Sequence, residues 1–219
     1  MSTYILMKIL ESSSRRYDRG IRLLSFGKID KIYDRLTSYI QRGQHVLDIG
    51  CGTGALSLRA ALNGATVKAI DVNSQMLEIA RKKADEARLL QNIEFVEMGV
   101  AELGNEEANN YDVVMSGLCF SELTEDELKF TLYQANRILK PGGPLLVADE
   151  VLPEALFHKI ISKIIRIPLK IITYFLTQTT IHSLKNLPQK ISQCGLEIKS
   201  VHHNKLKNFI VLVAKKPGD

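Results

Sequence analysis

From about position 44 onward the chain alternates short apolar runs with longer segments whose apolar residues recur every three or four positions. "HVLDIG" (45–50) is short and apolar, as expected of a strand buried on both faces. "GALSLRAALNG" (54–64) predicts a helix closed by Gly64. "ATVKAID" (65–71) predicts a second strand. "NSQMLEIARKKADEARLL" (73–90) places Met76, Leu77, Ala80 and Ala84 at helical spacing, with Asn73 or Ser74 as the cap. "NIEFVEM" (92–98) and "YDVVMSG" (111–117) predict strands three and four. The next helix, "TEDELKFTLYQANRIL", opens on a capping box from Thr124 to Glu127. "KPGG" ends it, and "PLLVADE" (144–150) is the fifth strand, with Pro144 at the one strand position that tolerates it, the first.

Strand and helix alternating at this spacing mean βαβ units, right-handed crossovers and a parallel, doubly wound sheet of the α/β class. "LEIKSVHH" and "NFIVLVAKK" lie only a few residues apart, which suits a hairpin and an antiparallel edge. Two segments stand outside the alternation. Residues 1–43 predict two helices forming an N-terminal cap, ahead of a main domain over 44–219. Residues 151–181 predict a helical insertion before a helix near 182–193.

The loop in "VLDIGCGTGA" (46–55) admits two readings. Gly50, Gly52 and Ala55 satisfy a dinucleotide fingerprint, which expects a pyrophosphate over the loop and leads to an NAD(P)-dependent oxidoreductase. Gly50, Gly52 and Gly54 also form a tighter G-x-G-x-G turn that suits a nucleoside without phosphate. Asp48 separates the two. A carboxylate two residues before the loop repels a pyrophosphate and favours a cation. S-adenosylmethionine carries a sulfonium and an α-ammonium and has no phosphate, and the loop amides can take its carboxylate. Asp71, 21 residues after Gly50, can accept the ribose hydroxyls of either ligand.

These stretches carry a resemblance. "VLDIGCGTG", "AIDVNSQML", "YDVVMSG" and "ILKPGG" follow one another as in the class I S-adenosylmethionine-dependent methyltransferases, closely over about 44–150 and loosely elsewhere. The resemblance implies a Rossmann-like seven-stranded sheet of order 3-2-1-4-5-7-6 with strand 7 antiparallel. It implies that Asp48, Gly50, Cys51 and Gly52 line the methionine end, that Asp71 holds the ribose, and that Val72 and Met76 flank the adenosine. It assigns Ser116, Gly117 and Leu118 to the region facing the sulfonium, and an aromatic on an N-terminal helix, Tyr17 first and Tyr33 second, to closing the site. One departure is visible. The acid that usually takes the adenine amino group is absent: its place falls on Gly99 or Val100. That leaves the backbone of Val100 and Ala101 to read the adenine edge, with Glu102 as the only acid nearby.

Methyl transfer from a sulfonium is an in-line displacement in which the enzyme chiefly positions two reactants. A base is needed only where the acceptor must lose a proton. Glu122 and Asp149, at the ends of the fourth and fifth strands, are the catalytic candidates. No histidine accompanies Cys119 in sequence, and buried cysteine is usually core filler. No His or Cys set has metal-ligand spacing, so no metal is expected.

The segment 155–176 changes the picture. Leu156/Phe157, Ile160/Ile161 and Ile164/Ile165 share one face of a predicted helix, and Lys159, Lys163 and Arg166 the other. Residues 154–190 hold six Lys or Arg against one acid, an excess equal to the net charge of the whole chain, +5. Such a helix serves as a lid over a large apolar acceptor, lies on an anionic membrane surface or docks on a partner. "RRYDRGIRLLSFGKIDKIYDRL" with "RIPLKIITYFLTQTT" resembles, within the class, methyltransferases associated with corrinoid proteins, which makes a corrinoid or its carrier protein the implied partner. The expected function is methyl transfer to a small-molecule or cofactor acceptor, a corrinoid or its carrier protein among them; the alternatives are a quinone or lipid methylated at a membrane surface, an NAD(P)-dependent oxidoreductase or a non-catalytic binding protein.

The remaining composition narrows little. Only 6% of residues are aromatic and there is no appended RNA-binding module, so a nucleic-acid partner is not expected despite a pI of about 9.0. Three scattered cysteines make no disulfide framework, and the N-terminal apolar stretch is interrupted by Lys8 and lacks a signal cleavage site. A cytoplasmic location is the expectation.

Overall fold

The computed structural model describes residues 28–151, 184–204, 207 and 209–218. Helix α1 (Lys28–Thr37) precedes β1 (His45–Ile49), α2 (Ala55–Leu62), β2 (Thr66–Asp71), α3 (Ser74–Glu86), β3 (Ile93–Glu97), β4 (Val113–Gly117), α4 (Glu125–Ile138), β5 (Pro144–Glu150), α5 (Leu187–Gln193), β6 (Glu197–His203) and β7 (Phe209–Lys215). Short 3₁₀ turns at Val100–Asn105 and Phe120–Glu122 follow β3 and β4. The seven strands run in the order β3-β2-β1-β4-β5-β7-β6, with β7 antiparallel to both neighbours and the other neighbouring strands parallel. This is the doubly wound sheet that the alternation and the resemblance led to.

The pleat divides the core into two layers. Val46, Val67, Val113, Met115 and Leu146 pack with α1, α2 and α3, whereas Leu47, Ile70, Val114, Leu145 and Val147 pack with α4 and α5. Adjacent strand residues therefore serve opposite helix layers, and nearly all of them are apolar because both faces are covered. Helix α1 joins the first layer through Ile29, Tyr33 and Leu36, and Ile40 just after it does the same, all buried. Local chemistry sets the helix ends where the sequence placed them. The Asn73 side chain accepts from the amides of Gln75 at 3.1 Å and Met76 at 3.3 Å. Thr124 and Glu127 close their capping box at 2.8 and 3.3 Å. Gly64 follows α2 in the left-handed region that a C-terminal glycine supplies.

The lid segment 151–181, all but its first residue, lies outside the described residues, as do the basic stretch 155–176 and Tyr17. Among the described residues no helix is long and apolar enough to cross a membrane, and no cluster of His, Cys, Asp and Glu is arranged to hold a metal.

Candidate active site

The carboxyl ends of β1, β2 and β4 open onto a cleft of about 590 Å³, within the range of small-molecule sites. It lies where the sheet order reverses between β1 and β4, as expected of open α/β sheets. Of the residues the sequence singled out, Gly50, Cys51, Gly52, Asp71, Val72, Met76, Val100, Ala101, Gly117, Leu118 and Glu122 line it.

The glycine loop is built for close approach. Gly50 has φ +68°, and a Cβ there would sit 2.3 Å from Cys119 Sγ and 2.4 Å from Cys119 Cβ. Only glycine lets β1 turn against the β4 end. The turn is tied to β2: the Cys51 amide donates to Ile70 O at 2.9 Å, and the Gly52 amide to Asp71 Oδ2 at 2.8 Å. Asp71 Oδ1 accepts from the Asn73 amide at 2.9 Å. Asp71 thus fixes the loop and the entry to α3 while it lines the cleft. Each carboxylate oxygen has a second lone pair for a ribose hydroxyl. Val72, 73% exposed, stands over this end as an unburied apolar side chain that an adenosine ring would cover.

Asp48 lies below the loop, 1% exposed. Its Oδ2 accepts from Ser57 Oγ at 2.5 Å, and its Oδ1 has no partner among the described residues. A cavity of about 20 Å³ bounded by Asp48, Tyr33, Gly50, Cys51, Leu56 and Gly117 adjoins it, room for one water or one donor group. Burial pushes the Asp48 carboxyl up to about 7; the Ser57 hydrogen bond opposes this and the charge of Asp71 adds to it. A buried acceptor left open beside a glycine cradle suits an ammonium. The residues present therefore fit S-adenosylmethionine: Asp48 for the amino-acid end, the loop amides for its carboxylate, Asp71 for the ribose, and Val72, Met76, Val100 and Ala101 for the adenosine.

Two placements differ from the sequence reading. Ser116 does not line the cleft; it is fully buried and donates to Ile49 O at 3.0 Å, fastening β4 to β1 beneath the loop. Asp149, expected to face the acceptor, is also fully buried and absent from the cleft wall. Leu145, Val147 and Asp149 share the β5 face that packs towards α4. Asp149 Oδ2 accepts from the Ser121 amide at 3.2 Å and Oδ1 from the Glu150 amide at 2.7 Å. It is a cap for the turn after β4 and cannot touch an acceptor. Glu102 is engaged in capping as well: its Oε1 accepts from the Gly99 amide at 3.0 Å.

Glu122 is placed as expected. The 3₁₀ turn Phe120–Glu122 buries Phe120 and turns Glu122 into the cleft wall. Burial, then the charges of Asp149 and Asp71, raise its carboxyl to about 7. Glu122 remains open to water through the mouth of the cleft, which screens part of that rise. Burial pushes the thiols of Cys51 and Cys119 up, so both are protonated wall residues and not nucleophiles. Leu118 adopts φ +60° with its amide donating to Ala148 O at 2.8 Å, a left-handed leucine held in place by the neighbouring strand.

The sequence ranked Tyr33 second as the closing aromatic. Its hydroxyl lies against the β4 end, where a Cβ on Gly117 would come within 2.9 Å of it. Arg59 of α2 pins α1 over the cleft, donating to Asp30 Oδ1 at 2.6 Å and Asp34 Oδ1 at 2.7 Å and lying 5.8 Å from the centre of the Tyr33 ring. The signal that could have found Arg59 was the spacing of Asp30, Tyr33 and Asp34 on one helix face.

Comparison with known proteins bears on the domain family and the fold. A methyltransferase domain family matches residues 46–143. The ubiquinone/menaquinone biosynthesis C-methyltransferase UbiE of Pseudoalteromonas translucida is 35% identical over 162 residues, covering 71% of this chain and 61% of the relative. The chain spans about three-fifths of the length of the curated relatives it matches. Among solved structures, a SAM-dependent methyltransferase of Methanosarcina mazei aligns with a TM-score of 0.68 at 22% identity, over 83% of this chain and 96% of that one. The [4+2]-cyclase SpnF aligns with a TM-score of 0.70 at 19% identity, over 87% of this chain and 81% of that one. One sheet thus hosts different reactions, and the site must name the chemistry. Residues 46–143 match a methyltransferase domain, and the seven-stranded sheet has the fold of the solved SAM-dependent methyltransferase with which it aligns.

Proposed function

We propose that this chain methylates a ring carbon of an apolar, quinone-class acceptor. The observation that carries the reading is Glu122, an acid of raised proton affinity in the wall of the cleft that the glycine loop and Asp71 also line. The name of the UbiE relatives supports the acceptor class. S-adenosylmethionine, when bound, supplies an electrophilic methyl group whose departure leaves S-adenosylhomocysteine. When a hydroquinone ring carbon bonds to that methyl, the same carbon must lose its hydrogen as a proton. Glu122, as the carboxylate, takes it. Asp48 and Asp71 hold the two ends of the donor, and Gly117 and Leu118 line the cleft beside Glu122.

A corrinoid acceptor draws on a different argument, that strongly nucleophilic cobalt needs no base; Glu122 in the cleft wall removes the reason for preferring it. The basic amphipathic pattern of 155–176 suits contact with an anionic membrane surface, where quinones reside. The test is transfer of a labelled methyl group to short-chain prenylated 1,4-naphthohydroquinone. Label on the ring is expected, with the rate rising with pH as Glu122 ionises, above the usual carboxylate range. Glu122→Gln should lower kcat by roughly 10²–10⁴-fold and leave S-adenosylhomocysteine binding intact. Label on a reduced corrinoid with none on the ring would overturn the reading.

A further inference from the structure

Asp149 is wholly buried, reaches no acceptor, and yet lies directly beneath the turn that carries Glu122. We propose that Asp149 is a positioning residue that acts through Glu122, fixing the turn on which Glu122 stands and setting a buried carboxylate beneath it. The proposal rests on Glu122 as the acceptor-side base.

The geometry comes from the pleat of β5. Its alternation turns Asp149 towards α4 and under Phe120–Glu122, where its Oδ2 takes the amide of Ser121, the residue before Glu122. A carboxylate is a costly choice for this task, since an asparagine or a serine caps an amide without a buried charge. Its presence has a use if the charge itself matters. The groups facing Glu122 among the described residues are mostly acidic: Asp149 from β5, Asp71 from the end of β2, the thiol of Cys119 in the same turn, and Glu127 of α4 in the same cleft wall. The cleft's cations come from α2 and α3. Arg59 is engaged by Asp30 and Asp34, and Lys83 donates to Thr53 O at 3.3 Å. With these ties made, the negative charges beside Glu122 keep a proton on it nearer to neutral pH than an isolated carboxyl would hold one, which is where a general base works best. Asp149 stays ionised long enough to do this because it accepts from the Ser121 side chain and from the amides of Glu150 and Ser121, which oppose the effect of its burial.

The experiment is a ¹³C-carboxyl NMR titration of the full chain, glutamate-labelled, with the Glu122 signal assigned by its loss in Glu122→Gln. It needs no acceptor and no turnover, so it is decided separately from the reading of the acceptor. Wild type should titrate above the usual carboxylate range, short of about 7 because water at the cleft mouth screens part of the rise. In Asp149→Asn the Glu122 midpoint should fall by roughly one unit, the lower end of what a neighbouring like charge does. Ser121→Ala keeps the carboxylate but removes one hydrogen bond that favours its ionised form, so the Glu122 midpoint should move the same way by less. A midpoint unchanged in a folded Asp149→Asn variant would overturn the proposal and leave Asp149 a cap. Should that variant fail to fold, an unchanged midpoint in Ser121→Ala overturns it equally.

Discussion

Asp48 gives a prediction that ties stability to binding. In the folded chain its carboxyl is raised from 3.8 to about 7, chiefly by burial. Below pH 3.8 both states carry the proton and the group costs nothing. Between 3.8 and about 7 the unfolded chain has released the proton and the folded chain retains it, so stability falls as pH rises; above 7 the loss is complete. From pH 5 to 8 the span that matters is two units, worth roughly 2.7 kcal/mol at about 1.36 kcal/mol per unit. This is a large share of a typical stability of about 5–15 kcal/mol. Asp48→Asn keeps an acceptor for Ser57 and removes the charge. Urea unfolding of both proteins without cofactor, at pH 5 and at pH 8, should show the variant gaining roughly 2–3 kcal/mol on wild type between the two. The same variant should bind S-adenosylhomocysteine more weakly by about 1.5–3 kcal/mol, roughly tenfold to a hundredfold, because Oδ1 no longer meets an ammonium as an anion. Parallel stability differences at the two pH values would refute the account of Asp48 as a buried acid held in reserve for a cation.

Other tests address the rest of the cleft. Gly50→Ala brings a Cβ to 2.4 Å from Cys119 Cβ at a backbone φ of +68°; the clash and the left-handed strain together should cost about 2–5 kcal/mol in denaturation. Adding Cys119→Gly should recover the clash and not the strain, whereas Cys119→Ala, which retains the Cβ, should recover little. Asp71→Ala removes the anchor of the Gly52 and Asn73 amides, so calorimetry should show S-adenosylhomocysteine binding abolished, with NAD binding neither protein. Replacing Arg59 by Ala frees α1 from two ion pairs and a ring contact, and should raise the KM for the donor several-fold while changing kcat little.

Much of the fold was legible because its causes are local. The Thr124–Glu127 box, the Asn73 cap, Gly64 and Pro144 each mark an element boundary through hydrogen bonds or φ angles set within a few residues. The sheet order came from the resemblance, and the glycine loop and Asp71 from spacing along consecutive elements. The acids at the strand ends were harder to read. Glu122 and Asp149 both sit near carboxyl ends of strands, and sequence position alone made them equivalent as catalytic candidates.

What the amino-acid sequence by itself determined is therefore the frame: alternating elements, a glycine turn at the first strand end and an acid at the second, all fixed by short-range periodicity and backbone chemistry. What only the tertiary structure decided is the direction in which each polar side chain points. The pleat turns Asp149 and Ser116 into the core and Asp48 beneath the loop, and the turn after β4 carries Glu122 into the cleft wall. Strand neighbours face opposite layers, so one residue of register separates a cleft acid from a buried one. Packing of the helices above and below the sheet decides whether that acid meets solvent, an amide or nothing at all, and pairings far apart in the chain set that packing.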